Sequence, residues 1–255
     1  MQVKEKLDLK LLLPGIPLTS SRGWLGWSTV ALLRTEGVTI LIDTGGFSSR
    51  APLLDSLKGY DLEPSLVNIV FVSHLHFDHC LNLDLFDKAT IIVGARELDY
   101  ALSNSPEERV DFFVPKTYIR SILRDMDVKK VKEGDEIAPG VTVLELPGHT
   151  PGSVGLFIKQ LGTSVVGDAI KNSREFTNRC PSYYFSSLEL WNRSVSKVIS
   201  LSKMILPGHD RLFKITGDKS FEYEDKPTVI DLNVVLGNAE EKRYKFSQAT
   251  GFTRS

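Results

Sequence analysis

Cysteine is nearly absent from this chain. Cys80 and Cys180 are the only two in 255 residues, far apart and in no Cys-x-x-Cys spacing. That excludes a disulfide framework, argues against a sulfur-ligated structural metal site, and fits a reducing compartment. Neither sign of charge is in excess, with 31 Lys and Arg against 32 Asp and Glu, so no global field draws the chain to nucleic acid or to an anionic membrane. Long apolar runs are missing too: Leu11 to Leu13 end at Pro14, far short of a signal segment or a membrane span. A cytoplasmic protein without membrane association is expected. Nothing reads as an interdomain linker, so residues 1–255 are taken as a single domain, with roughly 235–255 expected as a loosely ordered tail. A hydrophobic share of 42% and a charged share of 25% are ordinary for a globular protein able to bury a core.

What is present is arranged as a repeat. Thr29 to Arg34 and Thr39 to Asp43 read as a β-hairpin around Gly37, and Ser153 to Lys159 and Thr163 to Asp168 read as a second one around Gly162. Each ends in aspartate. A stretch able to form a helix follows each hairpin, Arg50 to Lys58 and Ser186 to Ser202, and then an apolar strand, Leu66 to Val72 and Lys203 to Leu206. Both strands run into histidine, as VSHLH and LPGHD, so hairpin, Asp, helix, strand and His occur twice. Between the halves lie a strand at Ala89 to Val93, a polar stretch from Arg96 to Met126 expected to be helical, and a strand at Val141 to Leu146 running into Pro147-Gly148-His149. Strands alternating with helices indicate an α/β layered fold.

Histidine is also scarce, five in all, yet none is scattered. His74, His76 and His79 crowd into SHLHFDHC together with Asp78, and His149 and His209 follow two further strands. Alternate residues of an extended segment point the same way, so His74, His76 and Asp78 can converge on one cavity while His79 turns to an adjacent point. Neutral imidazole and carboxylate without sulfur suit Zn²⁺, Fe²⁺ or Mn²⁺, and two metal ions close together would satisfy all four side chains.

On these residues the chain resembles the metallo-β-lactamase fold hydrolases. The first motif of that family, HxHxDH, stands as His74, His76, Asp78 and His79, and its later ligands are similar to His149 in LPGHTPGS, Asp168 in VVGDA and His209 in LPGHD. The resemblance runs from roughly Thr29 to Asp210 and implies a four-layer αββα sandwich of two similar halves. It also implies that His74, His76 and His149 hold one divalent metal ion, that Asp78, His79 and His209 hold a second, and that Asp168 bridges them. Zinc is the expected metal, with iron or manganese also compatible. A shared water whose pKa falls toward roughly 7 would supply the nucleophile, and Asp78 would pass a proton to the leaving group. Asp43, the counterpart of Asp168 in the repeat, is expected to orient a ligand from behind.

Departures from the family narrow the substrate. Acyl-homoserine lactonases place tyrosine three residues after the bridging aspartate, where this chain has Lys171, and that difference counts against carrying their activity over. Lys171, with Arg174 and Arg179 nearby in sequence, could contact a carboxylate or phosphate. Trp24 and Trp27, in a glycine-flanked loop, could wall an acyl chain. The expected activity is hydrolysis of a small carbonyl compound, an ester, thioester or lactone, by a binuclear site. Cleavage of a phosphodiester or a nucleic acid is the alternative, and a mononuclear iron dioxygenase a more distant one. The sheet edges of such a sandwich are compatible with a homodimer.

Overall fold

The computed structural model describes residues 7–35, 37–103, 111–235, 241–248 and 251–254. The first half contains β1 (Asp8–Leu13), the two-residue strands β2 (Thr19–Ser20) and β3 (Gly23–Trp24), β4 (Val30–Thr35), β5 (Val38–Ile42), α1 (Arg50–Lys58), β6 (Ile69–Val72), the single turn α2 (Phe77–Cys80), β7 (Thr90–Gly94), α3 (Ala95–Leu102), α4 (Lys116–Ile122) and β8 (Val128–Val131). The second half contains β9 (Glu136–Ala138), β10 (Val141–Glu145), β11 (Val154–Ile158), β12 (Thr163–Gly167), α5 (Ser173–Asn178), α6 (Leu188–Leu201), β13 (Met204–Pro207), β14 (Phe213–Ile215) and β15 (Phe221–Tyr223). A third, three-stranded sheet follows, β16 (Val229–Val235), β17 (Glu241–Ser247) and β18 (Gly251–Arg254).

Six strands in the order β1-β4-β5-β6-β7-β8 make one sheet and seven in the order β15-β14-β13-β12-β11-β10-β9 make the other. The period-2 alternation of the strands decides the layering. In β4, Ala31 and Leu33 join Ile40, Ile42, Phe71 and Ile92 in a cluster that meets Val141, Val143, Val154, Leu156, Ile158, Val165 and Leu206 of the second sheet. Val30 and Leu32 point the other way, onto Leu53 and Leu57 of α1 and Leu98 and Ala101 of α3. On the far side of the second sheet, Leu144, Val166 and Ile205 pack on Trp191, Val195 and Val198 of α6. Helix, sheet, sheet and helix follow one another, the four layers expected of two similar halves.

The internal repeat is visible in the pairing. In each half an antiparallel hairpin, β4 with β5 and β11 with β12, is joined by a helix-bearing crossover to a parallel neighbour, β6 and β13. Capping residues explain where the crossover helices start: Ser187 accepts the Leu190 amide at the head of α6, and Asn172 accepts that of Glu175 at the head of α5. The stretch from Arg96 to Met126 is not one helix. Its described residues form α3 and α4 with a non-helical turn from Asp111 to Pro115 between them, where Asp111 accepts the Phe113 amide at 3.0 Å. The last stretch, expected as a loose tail, includes β17 and β18 among its described residues.

Phe71 is fully buried at the centre of the inter-sheet cluster. Phe71→Ala should cost about 3–5 kcal/mol of unfolding free energy, read from the urea midpoint at unchanged slope.

Candidate metal centre

All seven expected side chains lie at the C-terminal ends of strands. His74 and His76 follow β6 and lead into Asp78 and His79 on α2, whereas His149 follows β10, Asp168 directly follows β12 and His209 follows β13. These strand ends meet at one end of the sandwich, so side chains distant in sequence converge. Three sets of ligand atoms each fall within 4.8 Å of one another: His74, His76 and His149; His74, His79 and Asp168; and Asp78, His79 and His209. Backbone without a side chain is needed beside them, because a Cβ on Gly208 would stand 2.0 Å from Asp168 Oδ1.

Every ligand-type residue here is buried apart from Asp78, whose side chain is 18% exposed, so the cavity opens toward that carboxylate. Asp43 Oδ2 accepts from His79 Nδ1 at 2.7 Å and from the Ser73 hydroxyl at 2.8 Å, while its Oδ1 accepts the Ser73 amide at 2.7 Å. The Ser73 hydroxyl in turn stands 3.1 Å from His74 Nδ1. His76 Nε2 faces Asp111 Oδ2 at 2.8 Å, which also accepts from the Tyr100 hydroxyl at 2.9 Å, and His149 Nδ1 donates to the Tyr183 carbonyl at 3.1 Å. Four histidines are thus held by their outer nitrogen, which aims the other one inward and fixes its tautomer.

Two of those inward atoms, His76 Nδ1 and His149 Nε2, face each other at 3.1 Å, and others lack partners. His74 Nε2, His79 Nε2, Asp168 Oδ1 and both His209 nitrogens are buried without a hydrogen bond, although His79 Nε2 and His209 Nε2 each lie 3.4 Å from Asp168 Oδ1. Buried polar atoms normally find partners, and a concentration of imidazole nitrogen and carboxylate oxygen fits divalent metal ions. Burial, with the neighbouring histidines, lowers the pKa of His74 well below the usual range, and burial lowers that of His149 to about 3, so both rings are neutral at pH 7, the form able to bind a metal. For Asp168, Lys171 and the His209 and His79 rings outweigh burial and hold the carboxylate ionised; for Asp78, the His79 and His209 rings do the same. Burial opposes charge on His79, but Asp43, Asp168 and Asp78 around it raise its pKa.

Lys171 is brought into the cluster, its Nζ 2.9 Å from Asp168 Oδ2. Arg174 is exposed on α5 and makes no hydrogen bond or ion pair among the described residues. Arg179 is held elsewhere, beneath the Phe176 ring and against Asp218. Trp24 is an edge-on neighbour of Phe113 at 4.7 Å, and Phe113 lies 5.4 Å from the His76 ring. Trp27 instead donates its indole N–H to the Pro14 carbonyl and takes no part in that wall. Sequence reasoning missed Asp111, Tyr100 and Glu97, which have neither motif nor spacing to mark them. Ser73, immediately before His74, was the one legible from adjacency.

Asp43 has φ +58°, which asparagine tolerates. Asp43→Asn turns an acceptor of two hydrogens into an amide donor facing His79 Nδ1, so metal affinity measured by chelator competition should fall by about tenfold or more with the thermal midpoint nearly unchanged.

The model of the metallo-beta-lactamase superfamily matches residues 25–209, a span holding all seven side chains. The chain is 30% identical over 181 residues to metallo-beta-lactamase domain-containing protein 1 of Xenopus laevis, covering 70% of this chain and 69% of that one. It is 29% identical over 210 residues to an N-acyl homoserine lactonase of Bacillus thuringiensis, covering 70% and 79%. A solved structure of an N-acyl homoserine lactone hydrolase, with the product N-hexanoyl-L-homoserine bound at its catalytic metal centre, matches with TM-score 0.64 at 27% identity over 82% of this chain and 94% of that one. Together with the αββα layering and the buried His/Asp cluster, these likenesses show that the chain belongs to the metallo-β-lactamase superfamily and is a metal-dependent hydrolase.

Proposed function

We propose that this hydrolase cleaves a small carbonyl compound, an ester, thioester or lactone, whose acyl part lies on an aromatic wall beside the metal centre. The observation that carries the proposal is the wall itself. Phe113 and Phe185 approach the His76 ring at 5.4 and 5.5 Å, and Trp24, Phe112 and Tyr183 extend the surface outward. Phe112 is 69% and Trp24 43% exposed, so an uncharged surface leads from solvent to the histidines. Such a surface favours an apolar group over a polyanion. The matched lactonases support the same class, and Lys171 in place of the expected tyrosine separates this chain from them in detail.

In this proposal His74, His76 and His149 hold one zinc ion, Asp78, His79 and His209 the other, and Asp168 lies between them. Bound there, the metals would supply an acidified water and a Lewis acid for the carbonyl oxygen. The protein does the rest. Asp78, the most open of the seven, is placed to move a proton to the leaving group. The aromatic wall orients the acyl part and keeps water from its flank. Lys171 Nζ, beside Asp168, offers positive charge to a substrate carboxylate. Arg174 stands further along the same segment as a second candidate contact for an anionic substituent. No helix among the described residues is long and apolar enough to cross a membrane.

Zinc-loaded protein should hydrolyse a lactone or thioester faster than an activated phosphodiester, and kcat/KM should rise with acyl length. Phe113→Ala should flatten that rise by about tenfold, the equivalent of roughly 1.4 kcal/mol of lost apolar contact. Faster phosphodiester cleavage would overturn the assignment. Lys171→Ala should raise KM about tenfold for a substrate bearing a carboxylate and leave a neutral one nearly unaffected; equal effects on both would remove Lys171 from substrate binding.

A further inference from the structure

We propose that Glu97 is a positioning residue that sets the distance between the metal-facing histidines of the two halves. The inference rests on the reading that His74, His76 and His149 share a metal ion. His74 and His76 belong to the loop after β6 in the first sheet, and His149 to the loop after β10 in the second. The two loops leave different sheets, and a shared ion tolerates little error in the separation of their histidines.

Glu97, the third residue of α3, has no solvent exposure. Its Oε1 accepts the amide of Leu75, which lies between His74 and His76, at 2.8 Å. Its Oε2 accepts the hydroxyl of Thr150, the residue after His149, at 2.6 Å. One rigid carboxylate therefore spans the two ligand loops without bonding to a ligand itself. The helix reaches this position because the facing backbone is bare: a Cβ on Gly152 would stand 2.0 Å from the Glu97 amide nitrogen, and one on Gly94 would stand 2.6 Å from the Gly152 carbonyl. The span is reinforced by the Thr150 hydroxyl 2.6 Å from Ser153 Oγ and by the Val154 amide donating to the Ser73 carbonyl at 2.9 Å.

A carboxylate suits the place because it presents two acceptors at opposite corners of one plane, whereas an amide offers one acceptor and would set a donor toward Thr150. Burial raises the Glu97 pKa, against the hydrogen bonds from Thr150 and Leu75. A group that costly to bury is retained where its two acceptors are needed.

The test compares wild type, Thr150→Val, Glu97→Gln and the double variant, each confirmed folded by circular dichroism. Zinc affinity is measured by competition with a chromophoric chelator, and the visible ligand-field bands are recorded after cobalt substitution. Thr150→Val removes one arm with almost no change of volume, so it probes the span even if Glu97→Gln cannot fold. Each single variant should weaken zinc binding about tenfold and shift the cobalt bands. The double variant should be little worse than the weaker single one, because both break the same connection. Unchanged affinity and cobalt bands in both single variants would overturn the proposal, and so would additive losses. His149→Ala distinguishes the underlying reading: if it binds zinc as tightly as wild type, the metal assignment fails, whatever Glu97 does.

Discussion

The cost of burying five imidazoles and the Asp168 carboxylate in one cluster, with Asp78 at its edge, governs this structure. Charge and unmet hydrogen-bonding groups are expensive away from water, so each side chain has to be held from behind before it can face inward. Asp43, Ser73, Asp111 and the Tyr183 carbonyl do this for four of the histidines. What is left unpaired, chiefly His74 Nε2, His79 Nε2, Asp168 Oδ1 and the His209 nitrogens, is the face presented to metal. The cluster is preorganised at the expense of a local excess of orphaned polar atoms, which bound metal ions would relieve.

Holding the histidines from behind also joins the His/Asp cluster to the aromatic wall. Asp111 takes His76 on one oxygen and the Phe113 amide on the other, so the residue that orients a ligand also places the ring that lies over it. On the opposite loop, Phe185 donates its amide to the His149 carbonyl while its ring faces His76. Wall and cluster are thus joined by short hydrogen bonds through Asp111 and the His149 carbonyl.

Much of the layering was legible in the chain. The two hairpins, the helices after them and the strands entering histidine occur where periodicity placed them, because alternating apolar residues can satisfy two sheet faces in only one way. The stretch from Arg96 to Met126, expected to be helical, is so only in part among its described residues: it holds α3 and α4, and the Asp111 side chain accepts the Phe113 amide in the turn that leads into α4. The cationic neighbours of Asp168 were legible as residue types but not as positions. Lys171 meets the carboxylate, Arg174 faces solvent, and Arg179, the left-handed residue that ends α5, is drawn off to Asp218.

The sequence alone singled out the seven side chains that the structure brings together, because their types and spacings are confined to strand ends and nothing else in the chain is rich in histidine. It also determined that the chain is an α/β protein of two similar halves. Only the tertiary structure decided which nitrogen of each ring faces the cavity, which carboxylates stand behind them, and that Glu97 connects the two ligand loops. Those relations depend on two sheets packing at a set distance and on contacts between residues far apart in the chain, and neither a local motif nor a period of two or 3.6 residues encodes them.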